Sequence, residues 1–173
     1  TFGFRLIVRL RRDTMQEDAR TPISIRPARE DDAEALSRIA VLSKQSNGYD
    51  DAFMAACVEE LRVTPELLKT HRYWVAERGV ACGFVCLEPG PEEGSGELAA
   101  LYIHPDFHRQ GIGRMLWETL RDAAREMGLV SLHLDADPTA EAFYCGLGFV
   151  TVGRAPSGSI PGRTLPHMKI DLA

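Results

Sequence analysis

Residues 101–120 read LYIHPDFHRQGIGRMLWETL, and the organisation of the whole chain turns on this stretch. An apolar strand, Glu97 to Ile103, ends at His104–Pro105. A helix follows from about Gly111 to Met127. Its expected apolar stripe is Ile112, Leu116, Leu120, Ala123 and Met127, and its charged face carries Arg114, Glu118, Arg121, Asp122 and Arg125. Gly128 supplies the stop. Gly111 and Gly113 sit where the helix begins. A helix start leaves backbone N–H groups unpaired at the positive end of the dipole. Glycines let a ligand approach that backbone closely, and the fitting partner is a phosphate or pyrophosphate. Arg109 and Arg114 add charge. A dinucleotide fingerprint needs a third glycine where Leu116 stands, and a Walker loop needs a Gly-Lys-Ser/Thr that the chain lacks. On this stretch alone, a tight strand-to-helix connection with no ligand stays open.

Upstream, Ile23, Ile25 and Pro27 alternate with polar residues and predict a strand. A helix opens at ARED and carries Ala33, Leu36, Ile39, Ala40 and Leu42 at helical spacing, until Asn47–Gly48 stops it. Residues 50–61 form a second amphipathic segment, and Thr64–Pro65–Glu66 reads as an N-cap, a proline at the first helical position and an acid in the first turn. Arg72–Glu77 and Ala81–Leu87 predict a hairpin turning at Arg78–Gly79. Residues 89–96, PGPEEGSG, are a loop by composition. Downstream, a strand is expected over Leu129–Leu134, a short helix over Pro138–Cys145, and strands over Phe149–Val152 and Leu165–Leu172. The Pro-, Gly- and Ser-rich residues 154–166 lie between the last two. The β-α-β portion over 97–134 implies parallel strands and the hairpin implies antiparallel ones, so the expected fold is a single α/β domain with a mixed sheet and helices on both faces.

At 173 residues, the length suits one domain. The net charge of -5 is uneven. Residues 1–15 hold Arg5, Arg9, Arg11 and Arg12 against Asp13, which leaves 16 basic and 24 acidic side chains on the rest. An acidic body argues against a sequence-independent grip on nucleic acid, and leaves room for cationic acceptors such as amines. No apolar run approaches the length of a membrane span. Cys57, Cys82, Cys86 and Cys145 form no CxxC pair, so they read as small hydrophobes in a reducing compartment, and a cytoplasmic location is expected. Cys82 and Cys86, four apart in a strand, are expected on one face. Residues 1–22 are basic, then polar; they read as an extension, or as an Arg-rich presequence, ahead of a domain over 23–173. His104, His108 and His133 lack metal-ligand spacing, and no metal is expected.

Three segments carry a resemblance. LYIHPDFHRQGIGRMLWETL resembles the acyl-CoA-binding motif of the GNAT acyltransferase superfamily, Gln/Arg-x-x-Gly-x-Gly/Ala after a strand. DADPTAEAFYCGLGF, residues 135–149, resembles that family's Asn-x-x-Ala-x-x-Phe-Tyr-x-x-x-Gly-Phe segment. IRPAREDDAEALSRI, residues 25–39, is similar to its first strand and helix. The resemblance implies a mostly antiparallel sheet of six to seven strands, with acetyl-CoA held where two strands splay apart.

By the same resemblance, Leu101, Tyr102 and Ile103 present backbone groups to the pantetheine and the acyl carbonyl. His108, Arg109, Gln110, Gly111, Ile112, Gly113 and Arg114 hold the pyrophosphate, and Asp137, Ala140 and Phe143 complete the cofactor side. Tyr144 takes the place of the acid that protonates the thiolate; on Phe-Tyr alone it would read as a core tyrosine with its hydroxyl tied to a carbonyl. Glu97 is the candidate base, against the reading of a solvated strand-end carboxylate. His108 and Asp137 depart from the family's Gln/Arg and Asn. Tyr49, Phe53, Met54 and Trp74 lie in segments that flank the acceptor cleft.

The implied activity is N-acetyl transfer from acetyl-CoA to a primary amine by direct attack. The acceptor is a small molecule or a protein, and neither nucleic acid nor membrane is a partner. A homodimer stays open. A non-catalytic acyl-CoA sensor or scaffold is the alternative.

Overall fold

The computed structural model describes residues 21–172. The expected extension, apart from Thr21 and Pro22, lies outside the described residues. Strand β1 (Ser24–Pro27) leads through a 3-10 turn into helices α1 (Ala33–Gln45), α2 (Asp51–Cys57) and α3 (Pro65–Thr70). Strands β2 (Arg72–Arg78), β3 (Val80–Pro89) and β4 (Ser95–Ile103) follow, then helix α4 (Ile112–Glu126) and β5 (Ser131–Asp135). Helix α5 (Glu141–Leu147) precedes β6 (Val150–Pro156) and β7 (Thr164–Asp171).

The strands form one seven-stranded sheet in the order β1-β2-β3-β4-β5-β7-β6. Only β4 and β5 run parallel; the other neighbours are antiparallel. The parallel step follows from α4, because a strand-helix-strand unit returns the chain in its original direction. Local chemistry sets several element ends. The Thr64 hydroxyl accepts from the Leu67 N–H, with Pro65 at the first helical position, so α3 starts as its sequence predicts. Asp50 caps α2 by accepting from Phe53 N–H.

Each face of the sheet has its own core. α4 buries Ile112, Leu116, Trp117, Leu120 and Ala124 on one face, against Val85, Leu132, Leu134 and Met168 among others. α1 and α2 bury Leu36, Ile39, Ala40, Met54 and Cys57 on the other, against Tyr73, Val75, Phe84 and Cys86. The α4 stripe differs from the expected one. Ala124 is buried, whereas Met127 is exposed, because the helix ends at Glu126 and Met127 only caps it. Trp117 widens the stripe by packing edge-on against Phe149, with ring centroids 5.0 Å apart.

Two irregularities matter more. Ala76 partners Gly83 while Glu77 partners Ala81, so Cys82 is an extra residue in β3. That bulge corrects the expectation that Cys82 and Cys86 share a face: Cys82 packs on the α4 side and Cys86 on the α1 side. In β4, Leu98 partners Leu87 and Ala100 partners Cys86, so Ala99 is a second bulge. Beyond it the pairing with β5 stops. β4 and β5 share rungs only at Ser95–Ser131, Gly96–Leu132 and Glu97–His133.

Candidate active site

The stretch of β4 after Glu97 has lost its β5 partner, so its backbone groups on that side face a gap between diverging strands. Alternation along β4 sends Leu101 and Ile103 toward the α4 core and Tyr102 toward the α1 face. The three residues expected to line a bound thioester therefore sit in the opened part of the sheet.

At the end of β4 the chain turns tightly into α4. The His104 ring accepts from Asp106 N–H, and Pro105 starts a short 3-10 turn. The His108 ring lies 3.0 Å from the Ile103 carbonyl, which makes its Nε2 the donor. His108 thus fastens the turn to the strand end. Arg109 has a φ of 60° and Gly111 a φ of 77°, both left-handed. Glycine takes that conformation without strain, which is what residue 111 needs as the residue before the first turn of α4. Arg109 adopts it with a side chain, and such strain clusters at ligand-binding turns. The first N–H groups of α4, from Ile112 onward, have no partner one turn back. A Cβ on Gly113 would come within 3.1 Å of the Phe143 ring, so glycine there lets α5 close on α4. The turn and helix start suit a pyrophosphate: the first N–H groups of α4 are unpaired, Arg109 and Arg114 bring positive charge, and nothing lies within 4 Å of where a Cβ on Gly111 would sit.

Sequence reasoning missed one support of this turn. Arg78, at the end of β2, donates from Nη1 to the Gln110 side-chain carbonyl at 2.6 Å. The contact joins residues 32 apart, and no motif signals it.

Tyr144 stands on α5 with its ring buried, edge-on to Phe143 at 5.3 Å and Phe149 at 5.8 Å. Its hydroxyl has no hydrogen-bond partner among the described residues. The expected alternative, a hydroxyl tied to a carbonyl, is not what the structure holds. Burial pushes the phenol pKa well up, and the neighbouring Tyr102 and Asp137 push it further. Tyr144 therefore keeps its proton at neutral pH.

Glu97 occupies the last shared rung, opposite His133 on β5 and Glu88 on β3. Burial raises its pKa, the charges of Asp135 and Glu88 raise it further, and His167 opposes them. A carboxylate with raised basicity at the fork of the sheet can accept a proton from an ammonium.

Asp137 begins the turn before α5, where its side chain accepts from Thr139 N–H and Oγ1. It also accepts from the Tyr49 hydroxyl at 2.9 Å and from Lys44 at 3.1 Å, and Arg163 lies 3.6 Å away. Burial alone would raise its pKa; the Thr139 hydrogen bonds and Lys44 outweigh that and hold it below the ordinary value. Tyr49 stacks on Phe53 at 4.0 Å, and Lys44 and Arg163 both lie over the pair. This cluster ties the 157–163 loop to α1 and α2 beside the gap. Tyr49 and Phe53 thus join Asp137, at the turn before α5, to the 157–163 loop. Met54 is buried in the α1-side core, and Trp74 packs on the α4 side, away from them. No group of side chains suited to a metal ion occurs among the described residues.

An acetyltransferase (GNAT) domain model matches residues 69–151, which hold the gap, the glycine turn and Tyr144. A GCN5-related N-acetyltransferase of known structure from Rhodopseudomonas palustris is 26% identical, with a TM-score of 0.73 over 87% of this chain and 96% of that one. The PaiA N-acetyltransferase from Thermoplasma acidophilum, solved in complex with coenzyme A, shares the fold, with a TM-score of 0.71 and 20% identity over 87% of this chain and 99% of that one. Mycothiol acetyltransferase from Thermomonospora curvata is 30% identical over 105 residues, 61% of this chain. The match spans 34% of that protein's length, so this chain covers about a third of it.

Proposed function

The chain belongs to the GNAT acetyltransferase superfamily, and from that premise we propose that it moves an acetyl group from acetyl-CoA to a primary amine by direct attack. The observation that carries the reading is the fork between β4 and β5, with a partnerless Tyr144 hydroxyl on one side and the Gly111 helix start at its end.

Each demand of the reaction meets a residue. The N–H groups from Ile112 onward, with Arg109 and Arg114, hold the pyrophosphate. The β4 backbone at Leu101–Ile103 orients the thioester by offering groups the sheet leaves unpaired. Glu97 takes a proton from the acceptor ammonium, which frees the nitrogen lone pair for attack. Tyr144, kept protonated by burial, donates its phenolic proton to the departing thiolate, whose basicity the same dry site raises. Acetyl-CoA is the cosubstrate. The Lys44–Asp137–Arg163 cluster fixes the loop that borders the acceptor side.

The experiment is thiol release from acetyl-CoA across a panel of amines, with CoA-induced thermal stabilisation measured alongside. Turnover with at least one amine, and a melting shift with CoA that ATP does not reproduce, are expected. CoA stabilisation without thiol release for any amine would leave an acyl-CoA-binding module rather than an enzyme.

A further inference from the structure

On the sheet face that carries Glu97, the next strands place three titratable side chains in a row. His133 is the rung partner of Glu97 on β5. His133 partners Lys169 on β7, and Asp135 partners His167. The His133 and His167 rings lie 5.3 Å apart, with His133 Nδ1 3.2 Å from His167 Nε2. His167 Nδ1 lies 2.7 Å from an Asp135 carboxylate oxygen.

The chemistry of these contacts orders the protons. A carboxylate only accepts, so His167 carries its proton on Nδ1. Neutral His167 then offers a lone pair at Nε2, and His133 donates to it from Nδ1. That leaves an unprotonated Nε2 on His133, which is buried and has no hydrogen-bond partner among the described residues. His133 is only 5% exposed, whereas the Asp135 and His167 side chains are 37% and 30% exposed. The row therefore runs from solvent to an unprotonated nitrogen beside the fork; burial lowers the pKa of His133, so its ring carries a proton only in passing, and a buried ring nitrogen without a partner is costly to keep unless it is used.

We propose that Asp135, His167 and His133 form a proton relay that drains Glu97 after each turnover. The proposal rests on the reading of Glu97 as the base. One proton must reach bulk water for every ammonium acetylated: the nitrogen loses two, and the one that Glu97 does not take restores the phenol of Tyr144 after it has protonated the thiolate. Glu97, protonated by the ammonium, gives its proton to the lone pair of His133 Nε2. Neighbouring strands lie about 5 Å apart, so a side-chain rotation or one water spans the rung. The Nδ1 proton of His133 passes to His167 Nε2. His167 becomes an imidazolium steadied by Asp135 and releases its Nδ1 proton to solvent; ring rotation or exchange with water then returns each ring's proton to Nδ1 and resets the row for the next turnover. No bond to carbon changes and no electron moves. Asp135 and Glu88 crowd Glu97 with negative charge, while burial, His167 and Lys169 from β7 hold the His133 pKa down against Glu92 and Asp135. His71 lies 3.9 Å from Glu88 and tempers that charge when protonated.

These are positioning residues, so the test reads protons rather than turnover alone. Nitrogen-15 spectra of the histidine rings should show His133 protonated on Nδ1 and bare on Nε2 at neutral pH, and Asp135→Asn should shift both rings together. A His133 protonated on Nε2, or unmoved by Asp135→Asn, overturns the relay. With putrescine, lysine and benzylamine as acceptors, His167→Gln should lower kcat about 10–100-fold in dilute buffer, the loss typical when the partner orienting a functional histidine is removed. Added imidazole should restore it, and CoA affinity should not change. Asp135→Asn, near the surface, repeats the test should His167→Gln fold poorly. A normal kcat on the high-pH plateau in both variants, with Glu97→Gln impaired, rejects the relay alone. Normal turnover in Glu97→Gln rejects the base and the relay with it.

Discussion

Glu97 and His133 form the last rung that β4 and β5 share before the strands part. The bulge at Ala99 ends the ladder there, so the position that sets the fork also sets the candidate base. Backbone geometry and proton chemistry are coupled at this rung.

Glu88→Gln should move the acidic limb of the kcat/KM profile to lower pH. Glu97 must be ionised to take a proton, so activity rises as pH climbs through its raised pKa. Glu88 contributes to that raise by like-charge repulsion, and its removal lowers the pKa. A profile unmoved by Glu88→Gln would mean that Glu97 does not set the limb.

Gly111→Val and Gly113→Val should both lose CoA binding, for different reasons. At Gly111 the φ of 77° forces strain of about 1–3 kcal/mol on any side chain, although no atom would touch the new Cβ. At Gly113 the backbone is helical and the Cβ meets Phe143 at 3.1 Å, so α5 must shift or the turn must open. Calorimetric titration of CoA into folded variants checks this. Normal affinity in Gly113→Val would place the pyrophosphate elsewhere.

Asp137→Asn should destabilise the fold by about 1–3 kcal/mol at pH 7, because Lys44 and Arg163 then share no carboxylate. The sign of the pH effect follows from the direction of the shift. Asp137 has a folded pKa below its unfolded value, so its contribution is full above the unfolded pKa and is lost as pH falls through the folded one. Urea denaturation of wild type and variant should differ at pH 7 and converge at acid pH. An equal difference at both would show that its charge does not matter.

Much of this architecture could be read from residue order. The glycine turn, the α4 stripe up to Leu120, the Thr64 cap and the hairpin all rest on local chemistry. What escaped depends on contacts distant in sequence. The bulges at Cys82 and Ala99 are set by pairing between strands, and neither position carries a glycine or proline to announce it. Cys82 therefore changes face, and the one local sign is Gly83 beside it, a glycine inside a strand. Arg163 reaches Tyr49 across 114 positions, so residues 154–166 look like mere loop while carrying a tertiary contact to the segment between α1 and α2. His167 carries no sign in the sequence because its partners, His133 and Asp135, lie on another strand. Trp74 is the converse case: its segment flanks the cleft, but strand alternation turns the ring to the opposite face.

The central claim is that Tyr144 protonates the leaving thiolate, and Tyr144→Phe tests it most directly. The hydroxyl has no partner among the described residues, so its loss should leave the melting temperature almost unchanged. CoA affinity should hold, since the Gly111 turn binds the pyrophosphate without it. Steady-state kinetics with an active amine should show kcat reduced by about 10²–10⁴ with little change in KM, the mark of a proton donor that acts only in the transition state. A folded Tyr144→Phe protein with near-normal kcat would contradict the account and pass the thiolate's proton to water or to the departing amine proton.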